Sequence, residues 1–316
     1  MGVLSMHRKG STKNLLDFQR LGANRILEFL GGHKMHWQLL RPQPCFAPQE
    51  ADPLDYHDHG KGKMRLHGKV AVVTGASAGL GRAVAARFAR EGASVVAADI
   101  NDADGAALAE EQKHLGGEIL FVHTDVSRES AVEQLFETTL SRYGRVDILY
   151  NNAAILLYDR DCPVHELSLE TWDRVMGVNL RGAFLCARYA IPSMLKQGGG
   201  SIIYLGSPTG LFGCAPRLTA YSTSKAAITG LTRVMAAAYA RNNIRVNSIV
   251  PGTMDTPMNG DVLADFAVRE QYREDVPVGR LGTPADIEGI AVFLASDESA
   301  YCTGGLYMCD GGMTAV

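Results

Sequence analysis

The chain has 316 residues and a formal net charge of −3 at pH 7, with 46% hydrophobic and 21% charged residues. This composition is typical of a globular protein, and the nearly balanced charge gives no argument for a nucleic-acid partner. No apolar run approaches the roughly 18 residues that a membrane span requires, so no membrane partner is expected. The length predicts one domain with an appendage, since α/β domains can reach about 250 residues.

The cysteines carry information about the compartment. Six cysteines, at positions 45, 162, 186, 214, 302 and 309, are scattered along the chain without C-x-x-C spacing. This pattern predicts buried thiols in a reducing compartment and no metal site. We therefore expect a cytoplasmic protein.

Residues 1–65 are predicted to be an N-terminal extension, and residues 66–316 the main domain. Residues 1–63 hold nine Lys and Arg against six Asp and Glu, which leaves 22 against 28 for the rest of the chain. The Pro-, Asp- and His-rich stretch Pro42–Lys63 predicts a flexible linker. The extension is therefore flexible, a short helical ornament, or the result of a start site assigned too far upstream. A targeting peptide fits least, because Asp17 and Glu28 interrupt the basic pattern.

The first predicted strand, Lys69–Thr74, is apolar and β-branched and continues directly into a glycine-rich turn with the spacing G-x-x-x-G-x-G. A helical pattern follows, with Leu80, Val84 and Phe88 on one face. Strand, glycine turn and helix together predict a dinucleotide phosphate site, because small residues let the backbone and the helix amides approach the anion. A glycine cluster taken alone would indicate only a tight turn. The candidate phosphate-binding residues are Gly75, Ser77, Gly79, Leu80 and Gly81.

The second predicted strand, Ala93–Ala98, ends in Asp99, which lies 18 residues after Gly81. That spacing is near the one expected for a carboxylate that binds the adenosine ribose. A carboxylate there accepts hydrogen bonds from the 2′-hydroxyl and repels a 2′-phosphate, so NAD is favoured and NADP is less expected. The alternative is that Asp99 only caps the next helix, although Asp102 is equally placed to do so.

Strands and helices continue to alternate along the chain. Further strands are predicted at Ile119–Thr124, before Asn151, at Ser201–Leu205 and at Ile244–Val250. A helix between the first two carries apolar residues on one face, namely Val132, Leu135, Phe136, Thr139, Leu140 and Tyr143. This alternation predicts a parallel sheet with helices on both faces.

Tyr221 and Lys225 are four residues apart in Ala220–Lys225, which places them on one helical face. A free phenol has a pKa of about 10 and is a poor base at neutral pH. A neighbouring ammonium should lower that pKa, which would make Tyr221 a proton carrier. An isolated Y-x-x-x-K match would more often be a surface tyrosine resting on a lysine stem, so the interpretation depends on the dinucleotide signals.

Together these motifs resemble the short-chain dehydrogenase/reductase family in its compact form, over essentially all of residues 66–316. Thr74–Gly81 matches the family's T-G-x-x-x-G-x-G, and Tyr221 with Lys225 matches its Y-x-x-x-K. Asn151-Asn152-Ala153-Ala154 is similar to the family's N-N-A-G, with Ala154 in place of the usual glycine. With the alternating elements, the resemblance implies an α/β, doubly wound Rossmann fold of about seven parallel strands.

The resemblance also implies roles for individual residues. Asn179 would hold a water in a proton path, Ser207 would hydrogen-bond the reacting oxygen, and Lys225 would bind the nicotinamide ribose as well as tuning Tyr221. Thr209 is an alternative to Ser207. The remaining cofactor contacts that the family implies are Asp125 and Val126 at the adenine, Asn152, Pro251 and Thr256 at the carboxamide, and Tyr221, which is expected to bind the cofactor as well as to act in catalysis.

The implied activity is NAD-dependent interconversion of a secondary alcohol and a ketone, with Asn179, Ser207, Tyr221 and Lys225 as the catalytic set. A 3-oxoacyl-(acyl carrier protein) reductase that uses NADP is the nearest enzymatic alternative, and Asp99 opposes it. A non-catalytic dinucleotide-binding sensor would be expected to have lost Ser207, Tyr221 or Lys225, and all three are present.

The predicted substrate pocket is formed by Ile155–Glu166, Gly210–Leu218 and Met254–Asp275. These segments offer an apolar lining of Leu156, Leu211, Phe212, Met258, Leu263 and Phe266. A moderately apolar small-molecule alcohol or ketone is therefore expected, with Arg160 and Arg217 as candidates for binding a carboxylate. Helices starting near Leu169 and Thr219 are apolar on more than one face, which suits a homotetramer like those the family forms, or a homodimer. The alternative is that these faces belong to a large monomer core.

Overall fold

The computed structural model of the protein describes residues 64–115 and 117–315. The predictions made for residues 1–63, including Cys45, lie outside the described residues. Within the described part, no helix combines the length and the apolar character needed to cross a membrane.

In the described part of the chain, seven parallel strands form one sheet in the order β3-β2-β1-β4-β5-β6-β7, which confirms the predicted fold class. The strands are β1 (Val70–Thr74), β2 (Ser94–Asp99), β3 (Glu118–His123), β4 (Ile148–Asn151), β5 (Gly200–Leu205), β6 (Ile244–Pro251) and β7 (Leu306–Cys309). The strand order changes direction between β1 and β4, because β2 and β3 lie on one side of β1 and β4 to β7 lie on the other. In open α/β sheets ligands bind at the carboxyl ends of the strands beside such a reversal.

Helices connect successive strands and cover both faces of the sheet. They are α1 (Gly79–Arg90), α2 (Asp102–His114), α3 (Glu129–Tyr143), α4 (Leu169–Met176), α5 (Ala183–Gln197), α6 (Thr219–Tyr239), α7 (Gly260–Leu263), α8 (Phe266–Glu274) and α9 (Ala285–Ala295). The short helices α7 and α8 lie in the connection between β6 and β7, beyond the carboxyl end of β6.

Two apolar layers sandwich the sheet because successive strand residues point to opposite faces. In β1, Ala71 and Val73 join the layer with Val84 and Phe88 of α1, whereas Val72 joins the opposite layer. That second layer contains Val132, Leu135 and Phe136 of α3 and much of α5. Every residue of β1 is buried, as expected for a central strand covered on both sides.

Some local predictions were wrong. Leu140 was placed on the buried face of α3, but 38% of it is exposed. The thiols were expected to be buried, but of the described cysteines only Cys186 is fully buried, and Cys214 is exposed. Asn179 lies in a π-helical turn, Gly177–Gly182, between α4 and α5. Such insertions are frequent at functional sites because they redirect one side chain.

Candidate active site

The glycine-rich turn between β1 and α1 lets a ligand come close to its backbone. Gly75 and Gly79 have positive φ angles of 65° and 53°, which only glycine adopts without strain. A Cβ on Gly81 would lie 1.9 Å from the Gly75 carbonyl oxygen, so no side chain fits there. Ala78 precedes α1 without a side-chain cap, and no acidic residue occupies the first turn. The amides at this helix start are therefore disposed to receive a phosphate, and the turn fits a dinucleotide.

Asn152 holds this turn from the neighbouring strand. Its Nδ2 donates to the carbonyl oxygens of Thr74 at 2.9 Å and Gly75 at 3.0 Å. The Thr74 hydroxyl oxygen accepts the backbone N–H groups of Asn152 and Ala153 in return. The side chain predicted to bind cofactor thus fixes the shape of the phosphate turn.

Asp99 lies at the carboxyl end of β2, beside the same turn. Its Oδ2 accepts the Ser77 N–H at 3.0 Å, and its Oδ1 accepts the Asn101 N–H at 3.0 Å. Helix α2 is capped by the Asn101 side chain, so the alternative that Asp99 caps this helix does not describe the structure. Each Asp99 oxygen retains a lone pair for a ribose hydroxyl.

Other predicted cofactor residues lie at or just beyond the carboxyl ends of β3 and β6. Thr256 lies against the glycine turn, 3.6 Å from where a Cβ of Gly79 would be. Pro251 ends β6 and is buried. Asp125 accepts the backbone N–H and hydroxyl of Ser127, and Val126 is buried beside Gly182.

Tyr221 and Lys225 lie on the first turns of α6 and share one face. The Lys225 ammonium is 5.6 Å from the centroid of the Tyr221 ring. Its Nζ is buried and donates to the Leu205 carbonyl oxygen at 2.8 Å. Burial lowers the pKa of Lys225 to about 8.

The pKa of Tyr221 departs from the sequence-based prediction. Burial and the neighbouring Tyr158 raise the pKa of the Tyr221 phenol to about 12, while hydrogen bonding with Ser207 lowers it. The prediction that Lys225 brings this pKa towards neutrality does not hold for the protein alone, because burial is the largest influence on the phenol and the Lys225 ammonium donates to the Leu205 carbonyl oxygen. Tyr221 is protonated at neutral pH and is equipped to donate a proton.

Ser207 follows β5 and faces the same space as Tyr221. Its hydroxyl lies 3.0 Å from the Thr209 hydroxyl, so the residue considered as an alternative is its hydrogen-bond partner. Asn179 is 2% exposed, and its side chain bonds both backbone groups of Ile155 and the Ser224 hydroxyl. The structure thus gives Asn179 a bracing function, and its proposed link to a proton path stays a prediction.

A cavity of about 380 Å³ opens in front of Tyr221 and Ser207. The three predicted segments all contribute, with Leu156, Leu218 and Leu263 among the lining residues. Four predicted apolar residues do not line it, namely Leu211, Phe212, Met258 and Phe266; the last three are exposed instead. Arg160 and Arg217 do not line it either.

Sequence reasoning missed several cavity residues. Tyr158 and Tyr272 line the cavity together with Asp275 and Asn259, and the Tyr158 hydroxyl donates to Asn259 Oδ1 at 3.0 Å. These residues carried no motif, and their only signal was membership of the pocket segments. Burial and the neighbouring Tyr272 raise the pKa of Tyr158 to about 12.

We predict that Lys225→Met stabilises the protein while impairing activity. A pKa lowered to about 8 means that folding disfavours the charged ammonium, and one pKa unit corresponds to about 1.4 kcal/mol. Relief of this desolvation is worth about 3 kcal/mol, and loss of the hydrogen bond to Leu205 offsets about 1 kcal/mol of it, so the variant should gain about 2 kcal/mol in unfolding free energy at pH 7. The ammonium destabilises the folded wild type fully below its folded pKa of about 8 and no longer does so above the unfolded lysine pKa of about 10.4. The gain of the variant should therefore be largest below pH 8 and shrink as the pH rises from 8 to about 10.4. Urea unfolding of both proteins across pH 7 to about 10 measures it, and a gain that grows with pH would contradict the prediction.

Comparison with known proteins agrees with this geometry. A family model described as enoyl-(acyl carrier protein) reductase matches residues 75–314. A 3-oxoacyl-[acyl-carrier-protein] reductase of Thermotoga maritima is 40% identical over 250 residues, covering 79% of this chain and 99% of that protein. A probable short-chain type dehydrogenase/reductase of Bradyrhizobium diazoefficiens is 41% identical over 254 residues, covering 79% of this chain and 89% of that protein.

A solved structure is also similar. It is a Beutenbergia cavernae protein provisionally assigned as an NAD(P)-dependent gluconate 5-dehydrogenase, with NADP bound at low occupancy. It has a TM-score of 0.76 and 36% identity, and the match covers 81% of this chain and all of that one.

Proposed function

Because the chain belongs to the short-chain dehydrogenase/reductase family of oxidoreductases, we propose that it interconverts a secondary alcohol and a ketone with a nicotinamide coenzyme. The observation that carries the proposal is the convergence of the Tyr221 phenol and the Ser207 hydroxyl on one cavity. The Lys225 ammonium lies 5.6 Å from the centroid of the Tyr221 ring.

The residues that would hold the coenzyme lie at the carboxyl ends of the strands, around β1 and β4. Gly75–Gly81 would receive the pyrophosphate, Asp99 the adenosine ribose and Thr256 the nicotinamide end. A bound nicotinamide supplies or accepts the hydride. The protein contributes orientation and the proton.

The proton chemistry follows from the protonation state of Tyr221. A phenol with its pKa raised to about 12 is protonated at neutral pH and can donate its proton to a carbonyl oxygen. The Ser207 hydroxyl is placed to donate a hydrogen bond to the same oxygen as charge develops there. In alcohol oxidation the same phenol, as phenolate, would accept the hydroxyl proton.

NAD is the proposed coenzyme. The Asp99 carboxylate would accept the ribose hydroxyls and repel the 2′-phosphate of NADP. The next side chain, Ile100, is 64% exposed and supplies no compensating charge. Arg82 lies nearby, but its guanidinium is paired with Glu111 at 2.6 Å.

The lining favours an uncharged substrate. Within the described residues no Lys or Arg side chain lines the cavity, whereas Asp275 adds a carboxylate. The hydroxyls of Tyr158 and Thr209 and the Asn259 amide offer hydrogen bonds, and Leu156 and Leu263 offer apolar contact. A cyclic or hydroxylated neutral secondary alcohol matches this mixture.

The test is an assay at the NADH absorbance band with neutral secondary alcohols, cyclic diols and sterols, each beside a carboxylated analogue. We expect turnover with NAD and at least about tenfold higher kcat/KM for the neutral member of a productive pair. Proteins that start at Met1 and at Met64 should be compared. Coenzyme binding without turnover across the panel would favour the sensor alternative.

A 3-oxoacyl-(acyl carrier protein) reductase is the second candidate function. The 40% identity to the Thermotoga maritima reductase supports it. The Asp99 carboxylate and the anionic character of the cavity oppose it. NADPH oxidation with a 3-oxoacyl thioester that is faster than any NAD-linked turnover would select this candidate.

We also propose that the protein is a homotetramer. Leu169 of α4, Phe184 of α5 and Val234 of α6 are exposed by 78%, 46% and 63%. Apolar side chains repeated on adjacent helices favour burial against another copy. Light scattering on the eluting protein should give four chain masses, and a monomer mass would reject the assembly.

A further inference from the structure

Helix α6, which carries Tyr221 and Lys225, begins without a cap of its own. The residue before its first turn is Leu218, whose side chain makes no capping hydrogen bond. The first amides of a helix have no partner within the helix, and burying them unpaired costs free energy. These amides must therefore be satisfied from elsewhere.

The Asp161 carboxylate takes this position from a distant part of the chain. Its Oδ1 accepts the Ala220 N–H at 3.0 Å, and its Oδ2 accepts the Tyr221 N–H at 2.9 Å. The side chain is 3% exposed. The adjacent Cys162 carbonyl oxygen accepts the Thr219 hydroxyl at 2.7 Å, which adds a third bond across the same junction.

The loop that contains Asp161 is also a wall of the cavity. Leu156 and Tyr158, from this loop, line the space in front of Tyr221. The start of the loop is held at Ile155 by Asn179, whose Nδ2 also donates to Ser224 of α6 at 3.1 Å. The cavity wall is thus joined to the helix of Tyr221 at both ends.

We propose that Asp161 is a positioning residue that holds the Tyr221 phenol in a fixed position relative to the cavity wall formed by Leu156 and Tyr158. A Ser or Asn at position 218 would cap α6 locally without burying a charge. The buried carboxylate achieves what a local cap does not, because it connects the helix to the cavity wall. The inference rests on the proposed function for its consequence in catalysis. Its geometry rests on the three hydrogen bonds that join Asp161 and Cys162 to the start of α6.

The test is Asp161→Asn, which keeps the size but turns an amide N–H towards a backbone N–H. A displacement of about 1 Å at a reacting group can cost about 100-fold in rate. We expect kcat to fall 10- to 100-fold while the dissociation constant of NADH, measured by fluorescence, stays within twofold of wild type. The Ser side chain in Asp161→Ser is too short for its hydroxyl to reach both amides, so the kcat of this variant should also fall.

Asp147→Asn is the matched control. Asp147 is also a buried carboxylate, 8% exposed, and accepts the Val70 N–H at 2.9 Å, at the amino end of the sheet. This variant should lose thermal stability as Asp161→Asn does, but its kcat should remain within about twofold of wild type. A general loss of stability would lower both activities alike.

Amide hydrogen exchange provides a measurement that does not require turnover. In Asp161→Asn, segments 155–161 and 219–225 should both exchange at least about tenfold faster, with no such change in Asp147→Asn. Unchanged kcat in both Asp161 variants, or exchange that rises in neither segment, would overturn the inference. If wild type turns over no substrate, the proposed function fails, and the exchange result alone decides whether Asp161 joins the two segments.

Discussion

Tyr221→Phe should lower kcat by about 100- to 10,000-fold, the usual contribution of a positioned acid or base. The substitution removes only the hydroxyl, and the glycine turn and Asp99 lie on other elements. NADH affinity should therefore stay within a few-fold of wild type. Stopped-flow turnover and fluorescence titration of the same preparation measure both quantities.

Tyr158→Phe is the matched control for this substitution. Tyr158 lies in the same cavity, its pKa is raised to about the same value, and its hydroxyl bonds Asn259. Loss of that hydroxyl should affect kcat by less than about tenfold. If Tyr158→Phe were as damaging as Tyr221→Phe, or if Tyr221→Phe kept substantial turnover, Tyr221 would not be the proton donor.

Replacing Asp99 by Ala and Ile100 by Arg should shift coenzyme preference towards NADP by about 100-fold or more in the ratio of kcat/KM values. The change removes a carboxylate that repels the 2′-phosphate and introduces a cation that attracts it, and like-charge contacts cost several kcal/mol. Initial rates with both coenzymes measure the ratio.

Ile100→Arg alone separates the two contributions to this shift. It should gain less NADP activity than the double variant, because the Asp99 carboxylate would remain. Loss of the Ser77 contact to Asp99 also predicts a modest fall in NAD affinity for the double variant. A coenzyme ratio unchanged from wild type would remove Asp99 from the ribose site.

The fold was predictable because its signals are local. The buried strand before Gly75, the helix with Val84 and Phe88 on one face and the apolar strand ending in Asp99 each follow from residue periodicity. The Gly75–Gly81 spacing was equally informative, because the steric reason for glycine at position 81 is contact with a residue six positions earlier.

The site was predictable only in part. The i, i+4 relation brings Tyr221 and Lys225 to one face, but it does not reveal that Lys225 donates to Leu205 or that burial dominates the pKa of Tyr221. Desolvation depends on every neighbour in space, and those neighbours come from β5 and from the loop with Tyr158. The prediction of the pocket lining was wrong at Phe212 and Phe266 for the same reason, since both side chains are exposed.

The amino-acid sequence by itself determined the parallel sheet, the phosphate turn and the pairing of Tyr221 with Lys225, because each depends on residues close together in the chain. Only the tertiary structure decided how the start of α6 is satisfied, since Asp161 reaches Tyr221 across 60 positions. It also decided which side chains meet the substrate and which protonation state Tyr221 holds. These properties depend on distances and burial that arise when separate segments pack together, and no local pattern encodes them.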